Sequence, residues 1–485
     1  MVTAMLGMGM YYTPYSFSQS GTLLGVFLLA CVMVITNVSI FSLLICAKKV
    51  TAIRNENVVD LGNVNKEEME EIKLDETEEI KLEEMEKMKL EETVEVELEE
   101  TKEEVNKKTM PVKEVTYANI ISEIRKYGEN FINYALILNG CATCILYQKF
   151  FAEKIAFLFG AIRGEGFWHM YYALGLIASS IPLLFASLKS NITDYGFLSN
   201  ANVFIIVLIG LTIGLSSFIF PEFIISHVPN SDKGDIPFTI SNFIFAMSCQ
   251  VNVVLIFNNL KDKSTKNLAL LAIIAPLINF LIYSLIGIGG ARLLGENTTK
   301  QDIIETFSRV DSPIRIFIET NYPFLEWIPY LLSVLSIITL MVSFQFELAV
   351  VIKSIKTFNI LKNSSERKGH ILITLFCYVF MTLVNLIPKI SLNILFVLIG
   401  DLILVPLGFI IPFVYLIYFY GKRGWWVKFG SCFIMMLGAS FTIYDLYRNI
   451  FGLFAPNNSS NDIIFESTIS SILSETITDT LNTTD

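Results

Sequence analysis

Two glycines and a proline interrupt the apolar segment Leu6–Phe17, whose sequence is LGMGMYYTPYSF. Gly7 and Gly9 carry no Cβ, so the backbone there can unwind or be approached closely, and Pro14 removes a backbone donor. Backbone groups freed at membrane depth are tolerated only where protein or a cavity satisfies them. The pattern therefore indicates either backbone that lines a cavity or close packing of small residues between helices.

A second apolar segment, Phe238–Leu260, has a polar centre that contains Ser248, Cys249, Gln250 and Asn252. Counted along the chain, the two interrupted segments are the first and the sixth apolar segments. They occupy corresponding positions in two halves of five helices each. Transporters built from an inverted repeat have broken helices in this arrangement.

Single carboxylates within apolar segments are further candidates for chemistry. Asp401 lies about ten residues into its segment, near the midplane for a rise of about 1.5 Å per residue. A charge there is costly, so the residue is either functional or a structural carboxylate bonded to a broken helix end at Gly400. Glu347 and Asp445 are expected nearer the membrane faces, in structural roles.

No group of residues in the sequence indicates enzyme chemistry or a bound cofactor. The CxxC pair, Cys141 and Cys144, lies in mid-segment and is better explained by packing of small residues than by redox chemistry. His169, His227 and His370 lie in loops or at segment ends and form no metal-ligand cluster. Without a Ser/His/Asp grouping or a phosphate-binding glycine loop, we expect no catalytic residues, no metal and no enzyme activity.

The elements that must position these residues are membrane helices. The 485 residues are 53% hydrophobic and only 17% charged, more apolar than a soluble domain of this size can bury. This composition excludes a nucleic-acid-binding protein, a secreted disulfide scaffold and an ordinary cytosolic enzyme. We predict an all-α protein, because only helices and closed barrels satisfy backbone groups in lipid and no segment alternates like a barrel strand.

Gaps between charges predict eleven spans of the roughly 20 residues that a bilayer requires. Two lie within residues 1–47, and the others lie near 130–150, 170–188, 197–220, 237–260, 267–290, 327–352, 370–388, 391–420 and 428–450. Lysine and arginine are more frequent in one set of alternate loops, which predicts a cytoplasmic N-terminus. The predicted division is spans 1 and 2 in 1–49, a cytoplasmic loop in 50–128, spans 3–11 in 129–451 and a non-cytoplasmic tail in 452–485.

The predicted cytoplasmic loop contains an acidic repeat of eight residues. Residues 66–108 hold 19 acids and eight lysines, a net charge of −11, so the rest of the chain is nearly neutral. Four copies follow one another from Glu70 to Thr101, beginning with EEIKLDET. A period of eight fits neither a heptad nor a helical stripe. The segment is either a solvated loop, disordered or transiently helical, or an arm that docks a regulatory partner.

Three stretches together resemble the amino acid/auxin permease family, which contains vesicular, proton-coupled and sodium-coupled amino acid transporters. The stretch GMGMYYTPYSFSQSG is similar to the family's first span, with its glycine-x-glycine and its later proline, aromatic and glycine positions. FAMSCQVNVVLIFNNLKDKS resembles the family's sixth span. The third stretch, VNLIPKISLNILFVLIGDLILVPLGFIIPFVYLIY, resembles its ninth and tenth spans.

The resemblance implies a LeuT-like fold of five plus five inverted helices, broken in spans 1 and 6, that cotransports an amino acid with an ion. Backbone amides at Gly7, Met8, Gly9 and Met10 would bind the substrate carboxylate at the positive end of a half-helix. Unwound carbonyls of span 6 would bind the ammonium group. The implied binding residues of span 6 and of the side-chain pocket are Phe245, Ala246, Met247, Ser248, Tyr11 and Phe243, with Tyr147 either a pocket or a packing residue.

For the ion, the resemblance implies a site between span 1 and span 8. Sodium-coupled members have an asparagine where this chain has Thr3, and the span 8 hydroxyls that could serve are Thr339 and Ser343. The family's proline-leucine in span 8 appears here as Gln345-Phe346. Since the sodium site is incomplete, Asp401 is the alternative ion-coupling residue. A carboxylate at that depth would favour the proton as the driving ion.

The sequence therefore predicts a multi-pass protein of the plasma membrane or of a lysosome- or vacuole-type membrane. Its expected partners are an amino acid, a coupling proton or sodium ion and the lipid bilayer, with no nucleic acid. The alternative function is a non-transporting amino acid sensor that signals through the acidic loop.

Overall fold

Almost all residues that the structure describes are helical, and none of them is in a strand. A computed structural model describes residues 1, 5, 7, 9–80, 114–125, 128–163, 168–188, 196–219, 236–294, 302–308, 312–358, 366–386 and 403–454. Thr3, Met8 and Asp401, which the sequence singles out, lie outside these residues.

The longer helices follow the predicted apolar segments along the chain. In order they are α1 Gly9–Ser20, α2 Thr22–Ile80, α3 Tyr117–Ser122, α4 Gly128–Arg163, α5 Trp168–Ser187, α6 Gly196–Ile219, α7 Ile236–Met247, α8 Gln250–Asn258, α9 Thr265–Leu294, α10 Ile303–Ser308, α11 Pro313–Asn321, α12 Ile328–Thr357, α13 Glu366–Asn385, α14 Ile411–Tyr420 and α15 Trp425–Phe454.

Eight segments in the described part of the chain are long and apolar enough to cross a membrane. They are Thr22–Asn55, Gly128–Phe159, Ser199–Phe218, Ile236–Asn258, Thr265–Leu293, Pro323–Thr357, Arg367–Asn385 and Trp425–Tyr444, and two shorter apolar helices are Met170–Phe185 and Pro406–Tyr420. Large apolar side chains such as Phe27, Phe204 and Phe376 are exposed on these helices, as expected for surfaces that face lipid. The all-α class is confirmed, and the total of eleven spans stays a prediction.

The backbone of α2 continues as a helix from the membrane segment to Ile80, and so includes the first acidic copy, 70–77. Its glutamate, lysine, leucine and methionine residues have high helix propensity, which accounts for the continuation. Residues 81–113, with the remaining copies, lie outside the described residues. The predicted role of the repeat as a solvated loop or docking arm is therefore untested.

Two groups of helices meet along the centre of the protein. In one, α4 packs along α12, and α5 and α13 pack against α4. In the other, α1 lies between α7 and α9, and α9 also packs against α2 and α6. Polar contacts fix α1 to α7, because Asn242 Nδ2 donates to Ser16 Oγ at 2.8 Å and Thr239 Oγ1 donates to the Ser16 carbonyl at 3.2 Å.

The helix of the sixth apolar segment stops in its middle. α7 ends at Met247, Ser248 and Cys249 are not helical, and α8 begins at Gln250. The N–H of Cys249 donates to the side-chain Oε1 of Gln250 at 3.0 Å, so one backbone donor freed by the interruption is satisfied within the protein. The interruption lies beside the start of α1, where the two central groups of helices meet.

Polar contacts define two ends of the helix bundle. Lys353 Nζ lies 2.8 Å from Glu114 Oε2, and Asn258 Nδ2 donates to the Val115 carbonyl at 2.7 Å, so the ends of α8 and α12 meet the segment that follows the acidic repeat. We call this end the loop side. Lys154 lies 26 residues after the start of α4, about 39 Å along the helix, and its contact with Asp302 marks the far side.

The crossing of α6 and α9 depends on a pair of glycines. A Cβ placed on Gly289 would lie 2.6 Å from Gly214 Cα and 2.9 Å from its carbonyl oxygen. These atoms are backbone and cannot rotate away, so a larger residue must push the two helices apart.

We predict that Gly289→Val destabilises the protein, because overpacking of a close contact costs about 1–3 kcal/mol. The expected result is a melting temperature in detergent several degrees below that of the wild type. Gly430→Val is the matched control, since a Cβ there meets no atom within 4 Å. Equal melting temperatures of the two variants would contradict the assigned close crossing.

Candidate functional site

The start of α1 presses against two other helices without room for side chains. A Cβ on Gly9 would lie 2.6 Å from both Cα and Cβ of Ala246 in α7. A Cβ on Gly7 would lie 2.5 Å from the hydroxyl oxygen of Tyr147 in α4. Both predicted glycines are therefore required for close approach, one to a backbone and the other to a polar side chain.

The hydroxyl of Tyr283 in α9 joins the segment before α1 to the end of α7. Its oxygen lies 2.8 Å from the Met5 carbonyl and 2.9 Å from the Ala246 carbonyl, and the residue is fully buried. A hydroxyl carries one hydrogen, so it donates to one of these carbonyls at a time. Tyr283 thus holds both interrupted segments, and the sequence analysis missed it.

A cavity opens between the start of α1, the α7–α8 interruption and the faces of α4 and α12. Its wall is apolar at Met5, Phe245, Val251 and Leu404, and is bare backbone at Gly7 and Gly9. The polar side chains in the wall come from three elements. They are Asn139, Thr143 and Tyr147 of α4, Ser248 of the interruption and Glu347 of α12.

The three polar residues of α4 follow one another at intervals of four, so they share one face of the helix. Asn139, Thr143 and Tyr147 are each at most 5% exposed, although a polar side chain is costly inside a membrane protein. This spacing is the signal that could have revealed the face from sequence alone.

Glu347 lies buried in the wall of this cavity. Its Oε1 accepts a hydrogen bond of 2.7 Å from Asn252 Nδ2, and its Oε2 has no hydrogen-bond partner among the described residues. Its expected position nearer a membrane face stays a prediction, whereas its place in the cavity wall was not predicted, because position along a span does not reveal which way a side chain faces. The signal was the presence of a carboxylate in an apolar segment, which is a functional candidate by default.

Comparison with known proteins identifies the family. Residues 96–451 match the family described as transmembrane amino acid transporter protein. The chain belongs to this family. No curated protein matches the sequence closely enough to name a relative.

Membership in the transmembrane amino acid transporter family, together with the apolar helices, makes this an integral multi-pass membrane protein and an amino acid transporter. The resemblance to the amino acid/auxin permeases is confirmed. Members of the family transport amino acids and are not enzymes, which agrees with the expectation from sequence. The family match begins after α1 and the described part of α2, so the glycine pattern of the first span lies outside the matched residues.

The structure brings four of the predicted substrate-binding residues to the cavity wall. They are Gly7, Gly9, Phe245 and Ser248. The others that are described are buried outside the wall, namely Met10, Tyr11, Phe243, Ala246 and Met247. Substrate binding at any of them stays a prediction.

The predicted ion-coupling residues that can be located lie on α12. Thr339 and Ser343 are buried, and with Glu347 they are spaced by four residues along one face of the helix. The Ser343 hydroxyl donates to the Thr339 carbonyl at 3.3 Å, and neither residue belongs to the cavity wall. Ion coupling through these residues stays a prediction.

A buried ion pair lies on the far side. Lys154 Nζ lies 2.8 Å from both carboxylate oxygens of Asp302, and these side chains are 3% and 2% exposed. The same ammonium group lies 4.7 Å from the ring centroid of Phe150, which stacks on Tyr11 of α1 at 5.3 Å. The ion pair and the two stacked rings thus connect α4, α1 and the segment that begins α10.

We predict that Lys154→Met destabilises the protein, because it leaves the buried Asp302 carboxylate without its cation. Losing one partner of a buried ion pair costs about 3–5 kcal/mol. Replacing both partners, in Lys154→Met with Asp302→Leu, should restore most of this loss, since no buried charge remains. Melting temperatures of the four proteins in one double-mutant cycle measure the coupling. If Lys154→Met alone melted like the wild type, the pair would not stabilise the far side.

Proposed function

We propose that the protein is a secondary active transporter that moves amino acids across a membrane by alternating access, with the substrate bound in the cavity between α1, α4, α7, α8 and α12. The observation that carries this proposal is the meeting of bare glycine backbone at the start of α1 with the α7–α8 interruption. The proposed architecture is the LeuT-like one, with eleven spans in two inverted halves of five and one span in addition. Family membership supports the substrate class.

An amino acid offers a carboxylate and an ammonium group, and the cavity has suitable partners for both. The backbone amide of Gly9, near the positive end of α1, suits the carboxylate, whereas the Gly7 N–H already donates to the Met5 carbonyl at 2.9 Å. Carbonyl groups at the end of α7 and the hydroxyl of Ser248 suit the ammonium group. Phe245, Val251 and Tyr147 would contact the substrate side chain.

A second cavity supports a route from the binding site to the loop side. It lies between α3, α4, α8 and α12, and shares Val251 with the first cavity. Its wall includes Lys353 and Asn133. The buried side-chain amide atoms of Asn133 have no hydrogen-bond partner among the described residues. We infer that this conformation opens towards the loop side, where the second cavity lies, whereas the far side carries the buried Lys154–Asp302 pair.

Uptake by the purified protein in proteoliposomes tests this function. Radiolabelled amino acids are offered one at a time, with proton and sodium gradients imposed separately. We expect concentrative uptake of at least one amino acid when one of these gradients is present. Saturable binding without uptake would contradict transport and would favour the amino acid sensor.

We predict that Gly9→Val reduces uptake at least tenfold at equal expression. A valine Cβ would lie 2.6 Å from the Ala246 backbone, so α1 or α7 must move and the cavity wall changes. Gly430→Val makes the same change of residue where no atom lies within 4 Å, and should transport like the wild type. Wild-type affinity and uptake in Gly9→Val would place the substrate elsewhere.

A further inference from the structure

One carboxylate, Glu347, lies in the wall of the cavity proposed to bind substrate. Its side chain comes from the middle of the longest central pair of helices, where α12 packs along α4. One carboxylate oxygen accepts a hydrogen bond from Asn252 of α8 at 2.7 Å. The other oxygen is buried, and no hydrogen bond satisfies it within the described part of the chain. A carboxylate in this state lacks half of the partners that an ionised group requires.

No described side chain around Glu347 supplies a positive charge, although the amino group of Met1 interacts electrostatically with the neighbouring Cys249. The titratable side chains that interact with Glu347 electrostatically are the thiols of Cys144 on α4 and Cys249 at the start of α8. From α4, the Tyr147 phenol shares the cavity wall. These groups are neutral or, when ionised, negative.

The charged residues of the neighbouring helices have other partners. On α12 itself, Lys353 pairs with Glu114 at the loop side. On α4, Lys154 pairs with Asp302, and Lys149 interacts with Glu153. On α13, the His370 ring lies 3.0 Å from the Ser187 carbonyl at the end of α5. Among the described residues, no ion pair includes Glu347.

A buried carboxylate without a cation is costly in its ionised form and is neutralised by a cation that enters the cavity. A proton requires one oxygen atom, whereas a hard metal cation is held by several oxygens at once. The hydroxyls expected to bind sodium, Thr339 and Ser343, lie two turns and one turn away on the same face of α12 but outside the cavity wall. A proton needs only the unpartnered Oε2 of Glu347, whereas a metal cation would also need oxygens of other wall side chains, such as Asn139 and Ser248. The proton is therefore the simpler cation for this carboxylate.

We propose that Glu347 carries the proton whose movement is coupled to amino acid transport. We further propose that Asn252 is a positioning residue, through which the protonation state of Glu347 affects the position of α8. The proposal rests on the transport function proposed above. Glu347 accepts from the Asn252 amide N–H at 2.7 Å, which is the only direction of this bond that an ionised carboxylate allows. When Glu347 is protonated, its O–H can donate, and the buried Asn252 Oδ1, which has no partner among the described residues, can accept.

Because the donor and the acceptor exchange roles, protonation of Glu347 can change the position of α8, the helix that lines the loop-side route. Asn252 lies in the first turn of α8, directly after the interruption, and Val251 beside it lines both cavities. A reversal of the hydrogen bond between α12 and α8 can thus change access from the loop side. The proposed reversal of the Glu347–Asn252 hydrogen bond does not require Asp401, the residue expected from the sequence to couple protons.

The test measures accumulation of a transported amino acid in proteoliposomes with the membrane potential clamped at zero and a pH difference of one unit. One proton per substrate supports an accumulation of about tenfold for that gradient. We expect the wild type to approach this ratio, and Glu347→Gln to give a ratio near one with no substrate-induced proton flux to a pH-sensitive dye. Glu347→Asp should keep the gradient response. Glu326→Gln, the same change at the exposed end of the same segment, should behave like the wild type.

Two further measurements keep the proposal testable if Glu347→Gln does not fold. In the wild type, labelling of Glu347 by a carbodiimide, which reacts with protonated carboxyl groups, should rise as the pH falls and should decrease with saturating substrate. Asn252→Ala should shift the pH at which uptake is half-maximal, a change that a purely structural role would not produce. Labelling that does not depend on pH would overturn the assignment.

The outcomes separate this inference from the function on which it rests. If the wild type accumulates an amino acid and Glu347→Gln still does so in response to the pH gradient, Glu347 does not carry the proton. If a sodium gradient alone drives the wild type, the proton assignment is wrong although transport is established. If the wild type transports no amino acid under either gradient, the proposed function itself fails.

Discussion

A helix that stops inside a membrane must have its backbone groups satisfied by the protein around it, and the α7–α8 interruption imposes this requirement on the rest of the structure. Cys249 N–H bonds to the Gln250 side chain, and the Ala246 carbonyl meets the Tyr283 hydroxyl. Gly9 must lack a side chain so that α1 can lie against Ala246. The same contacts that make the interruption tolerable thus bring α1, α7 and α9 together and leave a cavity beside them.

The electrostatics of the protein follow from the same low-dielectric setting. Lys154 and Asp302 are buried together on the far side, where each neutralises the other. Glu347 is buried beside the interruption without such a partner among the described residues. A paired charge favours one closed arrangement, whereas an unpaired one favours a change of state when a cation arrives. In the proposed alternating-access mechanism, the paired charges would stabilise one end and Glu347 would respond to the cation.

Local patterns in the sequence predicted the apolar helices, because apolar length is a property of neighbouring positions. The LeuT-like breaks in spans 1 and 6 stay a prediction. The family also followed from the glycine pattern and its counterparts, and the comparison with known proteins confirmed it. The sequence did not predict the Lys154–Asp302 pair, because its members are 148 residues apart. The place of Glu347 in the cavity wall was not predicted for a related reason, since neighbours that only the fold supplies decide which face of a helix is buried. The spacing of four between Asn139, Thr143 and Tyr147, and between Thr339, Ser343 and Glu347, was nevertheless present in the sequence as a sign of two polar helix faces.

The central claim is that an amino acid occupies the cavity beside the α7–α8 interruption, and site-directed labelling tests it most directly. Leu404 lies in the cavity wall and can be replaced by cysteine, while the native Cys432 is exposed on α15 and provides an internal control. Mass spectrometry then follows alkylation at both positions in one sample. The account predicts that a saturating transported amino acid slows alkylation at position 404 several-fold and leaves Cys432 unchanged. Equal alkylation at position 404 with and without that amino acid would contradict the account.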